Sequence, residues 1–178
     1  MEPWVALLRG INVGGRNSLP MQGLVRVLQA LGAHDVKTYI QSGNAVLWLP
    51  AGQGAQWAPQ LAARIQQEWG FAPGVLLLPL AALDQAIANN PYPQAQAQPT
   101  AVHLGFLAQQ PTHAQLDAMA TLKAVNEAFQ LQGQVWYLHA PDGIGRSRLA
   151  ARAEALLGVA MTLRNWRTVC ALQALARP

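Results

Sequence analysis

The spacing of apolar residues changes period repeatedly along this chain, which confines it to folds in which short strands and packed helices take turns. Trp4 to Leu8 is an unbroken apolar run, as in a strand buried on both faces. Met21, Leu24, Val25, Leu28 and Leu31 then recur at helical intervals, and Gly32 is placed to end that helix. Val36, Thr38 and Ile40 alternate with Lys37, Tyr39 and Gln41, predicting a strand with Tyr39 on its outward face. Ser42-Gly43-Asn44 turns the chain into a second strand, Ala45 to Leu49. After a loop, Trp57, Leu61, Ile65 and Trp69 mark one stripe of a helix, and Val75 to Leu78 forms another strand. The order β-α-β-β-α-β is the ferredoxin-like split pattern, a four-stranded antiparallel sheet with both helices on one face.

The order then repeats. A short helix (Leu80 to Ala88) leads into Asn90 to Pro99, rich in Pro, Gln and Ala, which reads as a linker without core or regular structure. Beyond it the pattern predicts a strand at Ala101 to Leu107 and a helix at Thr112 to Lys123. A hairpin follows, Ala128 to Leu131 and Val135 to His139, turning at Gln132-Gly133. Leu149, Ala153, Leu156 and Leu157 mark a further helix, Val159 to Thr162 a last strand, and Asn165 to Ala176 a terminal helix carrying Trp166, Val169, Leu172 and Leu175. The fold class is therefore α+β: two ferredoxin-like halves with antiparallel sheets, 1–90 and 100–178, joined by 91–99, the second ending in a helix.

Composition narrows the function classes. A chain of 178 residues that is 52% hydrophobic buries a real core, which excludes disorder. Only 11% of residues are charged, against about 25% in an average soluble protein, so each cation is conspicuous. The net charge of +4 comes without a Lys/Arg run of the kind a nucleic-acid tail carries. A single cysteine, Cys170, excludes an internal disulfide. With no signal-peptide pattern at the N-terminus, it points to the cytoplasm. No apolar run approaches the ~20 residues of a membrane helix.

The segment most suited to chemistry is Leu8 to Asn17, between the first strand and the first helix. Gly10, Gly14 and Gly15 permit positive φ and close approach of backbone N–H groups to an anion, with Arg9, Asn12 and Arg16 alongside. The plainer reading is a glycine-dependent crossover. Gly10 to Asn17 approaches a P-loop but has neither its Lys nor its Ser/Thr, and G-x-G-x-x-G is absent, which argues against NTPase and dinucleotide chemistry. Tyr39, Gln41, Ser42 and Asn44 lie at a sheet end and are candidates for lining a ligand on the helix-free face, although Ser-Gly-Asn is also ordinary turn chemistry.

Two further corners bring arginine. Pro141 to Arg148 joins a strand to a helix, with Arg148 as candidate anion ligand and Ser147 as candidate N-cap. Arg164, Asn165 and Arg167 stand at the start of the terminal helix, the two arginines three apart on one face and Asn165 able to cap it. His34, His103, His113 and His139 lack metal-ligand spacing, although His103 and His139 fall on strands that could be neighbours. The acids are scattered, so no paired-carboxylate mechanism, metal or cofactor is indicated.

Leu7 to Gly15, Thr38 to Asn44 and Arg164 to Val169 together resemble the bacterial DUF1697 family, over nearly the whole chain. The resemblance implies an α+β fold with ferredoxin-like halves and no known substrate, cofactor or catalytic residue. Where the family pattern has Ser-Lys, this chain has Ser147-Arg148, which keeps the charge but supplies no base. The expectation is a protein that binds a phosphorylated or other anionic small molecule through its Gly/Arg loop, between its halves, with or without turnover. The alternatives are a nucleic-acid-binding module, disfavoured because Ser42 to Trp48 does not match the stacked aromatics of an RNA-binding sheet, or a structural or protein-partner role.

Overall fold

The computed structural model describes residues 1–177. They divide into two compact units, one of residues 1–85 with the described residues from Cys170 onward, the other Ala86–Val169.

The first unit contains β1 (Glu2–Arg9), α1 (Met21–Ala30), β2 (His34–Tyr39), β3 (Asn44–Leu49), α2 (Trp57–Trp69), β4 (Gly74–Pro79) and most of α3 (Leu80–Ala88). Its strands form one sheet in the order β2-β3-β1-β4, every pairing antiparallel, so the central strand is the unbroken apolar run. Ala6, Leu8, Ala45 and Leu47 face α1 and α2 and are fully buried with Leu24, Leu28, Leu61 and Ile65. Gly23 lies inside α1 because a Cβ there would come within 2.7 Å of the Trp69 ring; its absence lets that indole rest on the helix. The opposite face is buried too: Val5 pairs with Val46 and Leu7 with Asn44, and none of the four is exposed. The expected alternation from Val36 to Gln41 stops at Tyr39. Ile40 lies in the turn, at φ 49° and 53% exposed, because the chain reverses there rather than after Gln41.

The second unit repeats the plan with β5 (Val102–Leu107), α4 (Leu116–Leu122), β6 (Ala128–Gln132), β7 (Val135–His139), α5 (Arg148–Leu157) and β8 (Met161–Asn165), in the order β6-β7-β5-β8. The last helix, α6 (Trp166–Leu175), follows, and its residues from Cys170 belong to the first unit. There Gln173 donates to Asp84, and Lys37 Nζ donates to the Leu175 carbonyl at 3.1 Å. Leu107, Trp136, Leu138 and Met161 face α4 and α5. Val102, Leu104, Phe106 and Tyr137, on the other face, are buried as well.

Several boundaries differ from those read off the pattern. Helix α4 is shorter than Thr112 to Lys123, because the chain first runs past the end of α5, where the Gln115 amide donates to the Leu156 carbonyl. The hairpin turns at Gly133-Gln134, one residue later, with Gln132 already paired to Val135. The stretch from Asn90 to Pro99 contains a 3-10 turn, Pro93–Ala95, and buries Ala95, so proline there sets a turn rather than preventing structure. Strand β8 runs on to Asn165, which places Arg164 in the sheet.

Candidate functional site

The glycine-rich segment folds as a small hairpin at the end of β1. The Asn12 amide donates to the Asn17 carbonyl and the Arg16 amide to the Val13 carbonyl, each at 3.0 Å. Gly14 and Gly15 form the two-residue turn with φ 58° and 72°, the double left-handed backbone of a type I′ turn. This corrects the picture of glycine amides leading directly into a helix N-terminus. Helix α1 begins only at Met21, behind Pro20, and has no side-chain cap. Leu19, fully buried, anchors the chain in between.

Side-chain amides hold the hairpin in place. Asn12, at φ 52°, donates to the carbonyls of Leu19 (2.9 Å) and Gln41 (2.7 Å) and accepts from the Leu19 amide (2.7 Å). Asn17, at φ 53°, donates to the Gly10 carbonyl at 2.7 Å. The β2–β3 turn sits against the same strand end, where the Leu8 amide donates to the Gly43 carbonyl at 2.8 Å. Gly43 has to be glycine twice over: its φ is 76°, and a Cβ would lie 2.7 Å from Leu8 Cβ and 2.8 Å from Ile11 Cδ1. Asn44, fully buried, donates to the Tyr39 carbonyl and to Ser42 Oγ. Asn12 and Asn44 are thus occupied with shaping the backbone, and Ser42 with Asn44.

The structure brings Arg9, Asn12, Gly14, Gly15, Arg16, Tyr39, Gln41, Ser42 and Asn44 to one end of the first sheet. Arg9 lies across Gly74 of β4, where a Cβ would come within 2.8 Å of the arginine stem. Arg16 is exposed and makes no ion pair among the described residues. Arg26 and Arg64, by contrast, both meet Glu68, and the hydrogen bond from Arg26 holds that carboxyl below its usual range. From Pro3 to His34, and again from Val36 to Gln67, the sequence has no carboxylate, so none lies within the hairpin or the turn. Sequence reading gave no role to Asn17 or Gly74 and read Gly43 only as a turn residue; asparagines flanking a Gly-Gly pair were the available signal for the first.

Arg148, Arg164, Asn165 and the start of α6 belong to the second unit. Arg148 opens α5, exposed, while Ser147 caps it by accepting from the Ala150 amide at 3.0 Å. Arg164 and Arg167 do not share a helix face, because Arg164 is in β8 opposite Leu104 and α6 starts after it. Burial lowers the Arg164 pKa to about 10, and Nη1 donates to the Leu163 carbonyl. Asn165 caps α6 by accepting from the Thr168 amide at 2.9 Å, and Arg167 is exposed.

The histidine pair is split by the sheet. His139 is opposite Val102, so His103, the next residue, points to the other face. His139 stacks on Tyr92 at 5.9 Å, and burial pushes the Tyr92 hydroxyl up to about 12. Burial lowers His103 to about 4, the Ala101 carbonyl opposing it. Among the described residues no group of three metal-ligating side chains converges.

A family profile described as a protein of unknown function, DUF1697, matches residues 1–137. The chain belongs to the DUF1697 family. The fold of this DUF1697 chain is similar to that of the conserved bacterial protein SP0830 from Streptococcus pneumoniae, with a TM-score of 0.71 at 20% identity, over 99% of each chain. No curated protein matches it. Among the described residues of this family member, no helix is long and apolar enough to cross a membrane.

Proposed function

We propose that this chain binds a phosphorylated or otherwise anionic small molecule at the end of its first sheet, on the hairpin from Arg9 to Asn17 and the turn from Ile40 to Asn44. The observation that carries the reading is Arg16: an exposed guanidinium, unpaired among the described residues, on a hairpin braced by Asn12 and Asn17 in a segment without carboxylates. The Gly14 and Gly15 amides form no hydrogen bond among the described residues, so the tip offers donors as well as charge. Preorganisation matters because a ligand then does not have to order the loop it binds. Arg9, one strand end away, supplies the second cation.

Nucleic-acid binding is the weaker reading. A ferredoxin-like RNA-binding sheet stacks bases on its helix-free face. Here Val5, Leu7, Val46 and Asn44 in one sheet, and Val102, Leu104, Phe106 and Tyr137 in the other, are already buried.

The test is an amide-shift titration of the full chain with phosphate, short-chain carboxylates and nucleoside monophosphates. Shifts should gather at residues 12–17 and 40–43, and Arg16→Ala should weaken binding about tenfold, the scale of one charge-assisted contact. Affinity unaffected by both Arg9→Ala and Arg16→Ala would remove the proposal.

A further inference from the structure

Two branched aliphatic side chains stand in solvent at that same sheet end, Val13 at 68% and Ile40 at 53% exposure, while their neighbours Leu8 and Ile11 are buried. Val13 is bridged to Arg16, and directly opposed residues of an antiparallel pair put their side chains on one face, so an isopropyl group and a guanidinium stand side by side. Ile40 is carried beside Gln41, whose carbonyl is tied to Asn12, the residue before Val13. The two tips are therefore held together by a hydrogen bond between their immediate neighbours.

Ile40 is not what local backbone chemistry asks for. It has φ 49°, a region that branched side chains rarely enter and that Gly or Asn occupies with little cost. A turn that only had to reverse the chain would carry one of those. Instead a sec-butyl group is held out into water under strain, in the turn that Asn12 ties to the hairpin. Strain retained in this way gathers where surrounding structure enforces it for binding.

We propose that the paired tips bind an amphiphilic anion of alkyl-phosphate type, its head on Arg16 and the hairpin amides, its aliphatic part against Val13 and Ile40. The inference rests on the anion-binding reading above and adds the class of ligand. The same chemistry occurs in a soluble alkyl phosphate and in the head region of an anionic phospholipid.

Titration of the full chain with inorganic phosphate and with butyl phosphate separates the two readings. Butyl phosphate should bind about tenfold more tightly, the effect of about two buried methylenes. That preference, read as the ratio of butyl-phosphate to phosphate affinity in the same protein, should vanish in Val13→Ser/Ile40→Ser, and Ile40→Asn, which suits the turn, should lose part of it should the double variant fail to fold. Equal affinities for the two probes would overturn this inference and leave anion binding standing; binding of neither would remove both. Sedimentation with vesicles of phosphatidylcholine containing phosphatidic acid identifies the source. Vesicle binding lost in the Ser variant assigns a lipid head group, and butyl-phosphate preference without vesicle binding assigns a soluble ligand.

Discussion

Asn12 and Gln41 are separated by 29 positions and joined directly, the Asn12 Nδ2 donating to the Gln41 carbonyl at 2.7 Å. This bond ties the Gly-Gly hairpin to the β2–β3 turn, and the same amide also spans the chain to Leu19 through both its oxygen and its nitrogen. One side chain thus links the hairpin to the turn, where Asn17 and the Leu8–Gly43 bond brace each of them separately.

Asn12→Ala should therefore cost more than an exposed position ordinarily does. It removes three hydrogen bonds and leaves alanine at φ 52°, a loss of about 2–3 kcal/mol after solvent competition is allowed for. Urea unfolding of parent and variant measures it, and amide exchange at Leu19 should quicken locally. A loss within ~0.5 kcal/mol, the ordinary surface value, would mean that the hairpin is held by its backbone alone.

Gly43 and Gly15 allow a controlled comparison. Both have positive φ, 76° and 72°, but a Cβ on Gly15 meets open space while one on Gly43 meets Leu8 and Ile11 below 3 Å. Gly15→Ala should lose about 1 kcal/mol from backbone strain, and Gly43→Ala about 3 kcal/mol because overpacking adds to it. Thermal unfolding of the two variants gives the order, and equal shifts in Tm would show that strain alone governs the turn.

The fold was legible because period follows burial. Trp4 to Leu8 reads as a central strand since apolar side chains cover both its faces, and Trp57, Leu61 and Ile65 read as a helix since one face meets the sheet. What was not legible depends on contacts distant in sequence. Ile40 continues the alternation of β2 on paper, yet the pairing of Tyr39 with Asn44 and the glycine at 43 force the reversal one residue before it. The role of Asn12 was hidden for the same reason, because its acceptor on Gln41 belongs to another loop. Arg164 looked like a helix-start cation because no local residue announces that β8 continues to Asn165. The glycines themselves were correctly seen as requiring unusual backbone, but whether that backbone is a nest or a hairpin turn depends on the Val13–Arg16 pairing, which composition does not encode.

In the second unit, Tyr137→Phe tests a single buried hydrogen bond. The Tyr137 hydroxyl, buried and raised to about 12, donates to the Ala86 carbonyl at 2.7 Å, joining the sheet to the end of α3. Phenylalanine keeps the ring and strands the carbonyl, so the expected loss is about 1–2 kcal/mol with the fold intact. Denaturant unfolding that leaves the midpoint unchanged would place a replacement donor at Ala86.

His103 predicts how stability depends on pH. The residue is 6% exposed, its Nδ1 has no hydrogen-bond partner among the described residues, and burial holds its pKa at about 4 instead of 6.5. A depressed histidine means that the unfolded chain binds the proton first. Between pH 6.5 and 4 the unfolded state carries more protons than the folded one, so the contribution to stability is intact above pH 6.5 and falls as acid is added. The span of the shift corresponds to about 3 kcal/mol, reached only below pH 4. His103→Leu removes the titration while keeping an apolar group opposite Leu138. Unfolding free energies at pH 7 and pH 4.5 should show the parent losing about 2 kcal/mol more than the variant, and parallel losses would mean that the ring is solvated when it protonates.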